Sequence, residues 1–258
     1  MFGYYGYYGF GSSSYFIFFG LILLCAVLSM IAGSKVNSTF KRFNHGACRS
    51  GLTGEQTVRR LMQMNGVNDI AVGQVAGELT DHYHPTKRVV NLSASTYDNN
   101  SVAAVAVAAH EVGHVMQKKE GYGLYLVRTA LVPVVNIGAR FSWFLVMIGF
   151  VLELLVQGAV LQLGNENLGF YIAMVGVILY GTSFLFALVT LPVELNASRR
   201  AGTMLMEAGV LGEEELPAAR KVLSAAAMTY LVSTLTSLVY FLRFLFYVLR
   251  MFGRSDRR

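Results

Sequence analysis

Long apolar stretches alternate with polar stretches along the chain, and this pattern predicts several membrane-spanning helices. Residues 15–33, 129–156 and 168–191 carry at most two charges each, and each is long enough to cross about 30 Å of hydrocarbon. A fourth apolar stretch, 228–250, is interrupted by Arg243. It predicts either a full crossing, which we favour, or a helix that bends or lies at the interface.

The two ends of the chain differ from these spans. Residues 1–14 are Gly-, Tyr- and Ser-rich and uncharged after Met1, which predicts a flexible N-terminus. Residues 251–258 form a basic tail. The span at 15–33 lacks the basic segment that precedes the apolar part of a signal peptide, so we expect an uncleaved anchor.

Two polar segments, 34–127 and 192–227, predict a folded lobe outside the lipid. In the first, Thr53 and Gln56 resemble a capping box that opens a helix, and Gly66 can end it. The pattern further predicts strands at Ile70–Val75, Glu78–Tyr83 and Arg88–Leu92, a helix from Ser101 to Lys118, and a helix start at Glu213–Pro217. The predicted fold class is therefore α+β and mainly helical, within a multi-span integral membrane protein.

The distribution of charge predicts on which side of the membrane the lobe lies. Residues 157–167 are a short connection without Lys or Arg, so the spans on either side of it should form a hairpin. Segments 34–127 and 192–227 then share one side of the membrane, and they hold most of the Lys and Arg, which favours the cytoplasm. Only 14% of residues are charged, against about 25% in soluble domains.

The composition also predicts which partners the chain binds. The net charge of +6 comes from scattered basic residues, which suits a lipid bilayer rather than nucleic acid. Cys25 and Cys48 lie in unlike surroundings, and we expect no disulfide between them. The oligomeric state is not predicted.

The pentapeptide His110-Glu111-Val112-Gly113-His114 has the spacing of a catalytic zinc site. On a helix, residues four apart share a face, so His110 and His114 can present two imidazoles to one metal ion. Glu111 can act as general base towards a metal-bound water, and Gly113 leaves room beside the metal. The alternative is a chance match on an ordinary helix.

A third protein ligand is needed, together with an open position for water. No histidine follows His114, so a carboxylate must serve. Glu194 is the best candidate, because Pro192 can start a helix where the chain leaves the third span on the side of His110. Weaker candidates are Glu153, at the far end of the hairpin, and Glu207, Glu213, Glu214 and Glu215, in a solvated-looking helix.

An intramembrane site is the other way to place this motif. The apolar run 102–109 before His110 has only eight residues, and Lys118 and Lys119 follow closely. That is too short for a span, so we expect a buried helix of the lobe. A transporter with an incidental motif is disfavoured, because the spans hold no paired charges.

These residues resemble the membrane-bound neutral zinc metallopeptidases of the YugP-like family. The likeness covers nearly the whole chain after the tyrosine-rich start, and the segments that carry it are Lys35–Phe40, Leu79–Tyr83, Ala108–His114 and Leu191–Arg200. The resemblance implies one catalytic zinc ion at His110, His114 and Glu194, with Glu111 catalytic and no other cofactor. It also implies a small gluzincin-like zinc peptidase lobe.

The sequence departs from the family pattern at two positions and from the pattern of many gluzincins at a third. His84 and Asn196 stand where the family usually has Asp, and Ser198 stands where many gluzincins place an Asp that orients a ligand histidine. An oxyanion partner is also expected. His82 is the first candidate for it, followed by Tyr83, Tyr97 and Arg199.

The function expected from this reading is a zinc-dependent membrane endopeptidase that hydrolyses membrane or membrane-adjacent proteins through a zinc-activated water. The strand at Arg88–Leu92 could dock an extended substrate, although an ordinary sheet strand is the simpler interpretation. The alternative function is a zinc-binding membrane scaffold with little proteolytic activity. A bacterial-type inner or plasma membrane is the expected location.

Overall fold

The protein is described by a computed structural model that covers residues 5–157 and 168–252. Within these residues the chain is mainly helical and has one small sheet. The elements are α1 Tyr5–Phe43, α2 Gly54–Met64, β1 Ala71–Val75, β2 His82–His84, β3 Val89–Ser93, α3 Ala94–Tyr97, α4 Val102–Lys119, α5 Gly123–Gln157, α6 Leu168–Glu207 and α7 Leu216–Phe252.

The chain divides into two compact units. One comprises Met1–Ser29, Val127–Val189 and Val232–Arg258, and is called the apolar unit below. The other comprises Met30–Leu126 and Thr190–Leu231, and is called the polar unit.

Three helices of the described chain are long and apolar enough to cross a membrane, namely α1, α6 and α7. Helix α5 is bent by 42° between Gly123–Gly138 and Arg140–Val156, and it adds a fourth candidate if its two halves count as one span. Helix α1 already begins at Tyr5, within the segment predicted to be flexible. Residues 1–4 and 253–258 lie outside the described residues. They include part of the N-terminal segment that was predicted to be flexible and most of the predicted basic tail.

Small residues bring α5 and α6 together inside the apolar unit. A Cβ added to Gly149 would lie 2.5 Å from the carbonyl oxygen of Gly169, and one added to Gly176 would lie 2.7 Å from that of Ser142. Gly is typical of such close helix contacts in membranes. The contacts run in antiparallel order, as a hairpin requires, while residues 158–167 of the connection lie outside the described chain.

The prediction that Pro192 starts a helix is wrong, because Pro192 lies inside α6. Proline removes one backbone hydrogen bond from a helix. Val193 and Ala197, on the following turn, are fully buried, and helices in proteins are held mainly by such packing. Helix α7, by contrast, starts at the predicted position, with Pro217 in its first turn, where a missing N–H costs little.

In the polar unit, the capping box predicted at Thr53 is present at the start of α2. The Thr53 hydroxyl accepts from the backbone N–H of Gln56 at 3.3 Å, and the Gln56 side chain accepts from that of Thr53 at 3.1 Å. The helix ends just before Gly66, which has a positive φ of 62°.

The sheet has the strand order β1-β3-β2, with β1 parallel and β2 antiparallel to β3. The strand predicted at Glu78–Tyr83 starts later, at His82, because Leu79 has a positive φ of 55° and Thr80 bonds back to the carbonyl of Ala76 at 3.0 Å. Since β3 has a neighbour on both sides, Arg88–Leu92 has no free edge. This confirms the simpler interpretation of an ordinary sheet strand and excludes the alternative that it docks a substrate strand.

Helix α4 confirms the predicted helix from Ser101 to Lys118. The Ser101 hydroxyl caps it by accepting from the N–H of Ala104 at 3.1 Å. Its apolar run is buried inside the polar unit rather than forming a span. The core around it combines α2, β3, α4 and the second half of α6, with Val58, Leu61, Val90, Leu92, Val105, Val112, Val115 and Leu205 among its members.

Candidate metal centre

Two histidines of α4 and one glutamate of α6 converge in the polar unit. The rings of His110 and His114 are 4.8 Å apart between centroids, with their planes at 85°. The Oε2 atom of Glu194 lies 3.1 Å from Nε2 of His110 and 3.5 Å from Nε2 of His114. One ligand atom from each residue lies within 4.8 Å of the other two, so this group could hold a metal ion.

Gly113 explains how α6 comes so close to α4. A Cβ at this position would lie 2.6 Å from the carbonyl oxygen of Ala197 and 3.1 Å from its Cα. The space that Gly113 provides is therefore filled by the backbone of α6, three residues after Glu194, rather than left beside the metal as we expected.

Both imidazoles are held through their Nδ1 atoms. The Ser198 hydroxyl lies 3.2 Å from Nδ1 of His110, and the Gln117 amide oxygen lies 3.0 Å from Nδ1 of His114. Ser198, which stands where many gluzincins have Asp, thus contacts one of the two histidines of the cluster. With both Nδ1 atoms engaged, both Nε2 atoms face the Glu194 carboxylate.

The electrostatics of the cluster favour a cation. Glu194 lies in the part of α6 that belongs to the polar unit and is only 2% exposed. Burial raises the pKa of Glu194, but hydrogen bonds from His110 and His114 outweigh it and hold the pKa well below its usual range. Burial likewise lowers the pKa of His114, yet the contact with Glu194 produces a net rise. An ionised carboxylate is therefore buried here beside two imidazoles.

Glu111 is also buried, and the sheet holds its side chain. Its Oε2 atom accepts from the backbone N–H of Tyr83 at 2.8 Å. Tyr83 pairs with Val90 across β2 and β3, and its N–H points away from that pair towards Glu111. The outer edge of β2 therefore faces Glu111. Burial, the largest cause, raises the pKa of the Tyr83 phenol to about 12, so its hydroxyl keeps its proton at neutral pH.

The hydrogen bonds of His82 in the structure go to other groups than the metal cluster. His82 pairs with Asn91, on the face of the sheet opposite Tyr83, because side chains alternate along a strand. Its Nδ1 atom lies 2.9 Å from the carbonyl oxygen of Thr80, and its Nε2 atom lies 3.0 Å from Nδ2 of Asn91. The role predicted for His82 stays a prediction.

The other candidates also lie outside the cluster. Tyr97 packs against the core at the end of α3, and Arg199 is exposed on α6, beside an open groove with Leu195. Glu153 belongs to the apolar unit. Glu215 accepts from the backbone N–H groups of Arg49 and Gly212, each at 2.9 Å.

Two residues near the site were missed by sequence reasoning. Gln117 lies three residues after His114 on the same helix, so helical spacing could have indicated it. The buried ring of Tyr125 lies 6.3 Å from that of His114 between centroids. Tyr125 stands in an ordinary apolar sequence, and no local pattern marks it.

Comparison with known proteins agrees with this geometry. A family model described as "Putative neutral zinc metallopeptidase" matches residues 17–249. The chain is 41% identical over 219 residues to a Bacillus subtilis (strain 168) protein described as "Putative membrane protease YugP", which covers 85% of this chain and 91% of that protein. No solved structure matches the chain.

Proposed function

The chain belongs to the family described as "Putative neutral zinc metallopeptidase", and we propose that it is a zinc-dependent endopeptidase of the membrane. One observation carries the proposal. Two imidazoles and one ionised carboxylate converge within 4.8 Å, and Glu111 stands beside them on the same helix as the histidines.

The three side chains fit a catalytic zinc ion. Two histidine nitrogens and one carboxylate are a known donor set for such sites, which keep a fourth position open. His110 and His114 would bind through Nε2, because Ser198 and Gln117 engage their Nδ1 atoms. When bound, zinc supplies a Lewis acid that acidifies water and polarises a carbonyl group.

Glu111 is the proposed general base. Its carboxylate accepts a proton from the water that attacks the peptide carbon and delivers it to the leaving amide nitrogen. The N–H of Tyr83 binds Oε2, which holds the carboxylate in place and leaves Oε1 for this transfer.

The outer edge of β2 is the proposed docking site for the substrate. An extended peptide that lies along this edge would pass beside Glu111. His82 remains our prediction for an oxyanion partner. Tyr83 competes with it, because its backbone contacts Glu111 and its phenol keeps a proton to donate.

The proposed substrates are membrane or membrane-adjacent proteins, because the candidate spans would hold the site near lipid. We propose a bacterial-type inner or plasma membrane, with the polar unit in the cytoplasm, since most Lys and Arg lie in the polar segments. A gluzincin-like lobe is supported by the third ligand coming from a second helix, α6.

The test measures zinc content and casein cleavage for the full chain in detergent. We expect Glu111→Gln to keep its zinc and to lose about 10²- to 10⁴-fold in cleavage rate. Glu213→Gln, which makes the same chemical change at an exposed position of the polar unit, should cleave like the wild type. Zinc bound without Glu111-dependent cleavage would favour a zinc-binding scaffold instead.

A further inference from the structure

Gln117 connects the two helices that form the metal centre. It is fully buried on α4, and both ends of its amide have partners. Its Oε1 atom lies 3.0 Å from Nδ1 of His114, and its Nε2 atom lies 2.8 Å from the carbonyl oxygen of Val193 and 2.9 Å from Oδ1 of Asn196.

The partners on α6 determine which way the Gln117 amide points. The backbone carbonyl of Val193 can only accept a hydrogen bond, so the NH₂ group of Gln117 must face it. Asn196 agrees with this orientation, because its Oδ1 atom also accepts from Nε of Arg200 at 2.8 Å. The other end of the amide, Oε1, is thereby left facing His114.

The orientation of the amide in turn determines the proton on His114. An amide oxygen can only accept, so Nδ1 of His114 must carry the hydrogen between them. In neutral imidazole, one nitrogen donates and the other accepts. When the ring is neutral, as a metal ligand must be, the lone pair of His114 therefore lies on Nε2, 3.5 Å from Oε2 of Glu194.

The two histidines of the metal centre differ in whether a contact determines which ring nitrogen carries the hydrogen. His110 has the Ser198 hydroxyl at its Nδ1 atom, and a hydroxyl can donate as well as accept. Ser198 therefore holds the ring without selecting a tautomer. Only at His114 does the contact select one.

We infer that Gln117 is a positioning residue, which keeps the proton of His114 on Nδ1 and so presents Nε2 to the metal. Its bonds to Val193 and Asn196 set this orientation from the helix that carries Glu194. The inference rests on the proposed metal site, but it does not depend on peptidase activity. A metal ligand held in this way through its other ring nitrogen typically loses 10- to 100-fold in metal affinity when the partner is removed.

The test is zinc affinity, measured by chelator competition on the full chain in detergent. Gln117→Met has a similar shape but no hydrogen-bonding amide, and we expect about 10- to 100-fold weaker binding. We also expect an altered visible spectrum of the cobalt-substituted protein. The matched control is Thr57→Val, which removes a fully buried hydroxyl on α2 and should leave zinc affinity unchanged. A folded Gln117→Met variant that binds zinc like the wild type would overturn the inference.

A second measurement needs no variant of Gln117. Long-range ¹H–¹⁵N correlation spectra of the metal-free wild-type protein report which ring nitrogen carries the hydrogen, and His114→Asn assigns the signals. At a pH above the raised pKa of His114, where the ring is neutral, we expect its single hydrogen on Nδ1. A single hydrogen on Nε2 there would overturn the inference even if Gln117→Met did not fold. Because this readout needs neither zinc nor cleavage, it separates failure of the inference from failure of the proposed function.

Discussion

The two helices that form the metal centre differ in how they are built. Helix α4 has 18 residues, is capped by Ser101 and lies wholly within the polar unit. It carries both histidines and Glu111 in five consecutive residues. Helix α6 has 40 residues and begins in the apolar unit. Its contributions, Glu194 and Ser198, come from the turns after Pro192.

The two helices therefore contribute to the site in different ways. Helix α4 supplies the pair of imidazoles and the proposed base, which need only helical spacing to share a face. Helix α6 supplies the proposed third ligand, and it also supplies the groups that hold the two rings, Ser198 directly and Val193 through Gln117. The metal centre therefore depends on the contact between the helices as much as on the pentapeptide.

The largest effect is expected from removing the ligand that α6 supplies. Glu194→Gln replaces the buried carboxylate with a neutral amide, so zinc loses one of three ligands and the charge that attracts it. We expect zinc affinity to fall by more than the roughly 100-fold upper range for losing a ring-orienting partner. Chelator competition measures this loss. Glu207→Gln, at an exposed position further along α6, is the control, and equal affinities for the two variants would remove Glu194 from the site.

The same contrast explains what could be predicted from the sequence. The helix of His110 and His114 follows from local spacing, a polar cap and a short apolar run. Glu194 could be proposed because the predicted hairpin would return the chain to the same side of the membrane. The continuity of α6 through Pro192 could not be predicted, because it depends on how the following turn packs.

Other features of the site depend on contacts between distant segments. That β2 rather than β3 lies at the sheet edge near Glu111 depends on strand pairing, which three short strands do not specify. Gln117, the partner of His114, could have been predicted from helical spacing. However, its amide orientation depends on a backbone carbonyl of Val193, and no residue type reveals that contact.

The next largest effect is expected where the two helices touch. Gly113→Ala places a Cβ about where the Ala197 backbone lies, so the helices must move apart. Overpacking of this kind costs about 1–3 kcal/mol in the free energy of unfolding, and the displaced Glu194 should weaken zinc binding as well. Thermal unfolding and chelator competition measure the two effects.

Gly202→Ala is the matched control, on α6 itself. Its added Cβ would meet a single atom at 4.0 Å, from Leu216, and alanine favours helix by up to about 1 kcal/mol over glycine. We expect unchanged or slightly higher stability. If Gly113→Ala behaved like this control, close approach of α4 and α6 would not be a requirement of the site.

A smaller effect is expected from pH. In the metal-free protein burial lowers the pKa of His114, but the contact with Glu194 outweighs it and the net pKa is raised. A proton therefore stays on His114 at higher pH than on an ordinary histidine. Zinc must displace that proton, so affinity should fall as pH drops through the raised pKa, by about tenfold per pH unit for one proton. Proton release on zinc binding, followed in weakly buffered solution, checks this, and no release near neutral pH would contradict it.

The smallest effect is expected at Ser198, and it tests the difference between the two histidines. Ser198→Ala removes the hydroxyl at Nδ1 of His110, but that hydroxyl selects no tautomer, and water can replace it because the His110 side chain is 15% exposed. We expect zinc affinity to fall by about 10-fold or less, against a larger loss for Gln117→Met. Ser224→Ala, an exposed serine of α7, should change nothing. The contact at His110 holds the ring only, whereas the contact at His114 holds the ring and also selects its tautomer. Equal losses of zinc affinity for Ser198→Ala and Gln117→Met would therefore mean that ring orientation matters and tautomer selection does not.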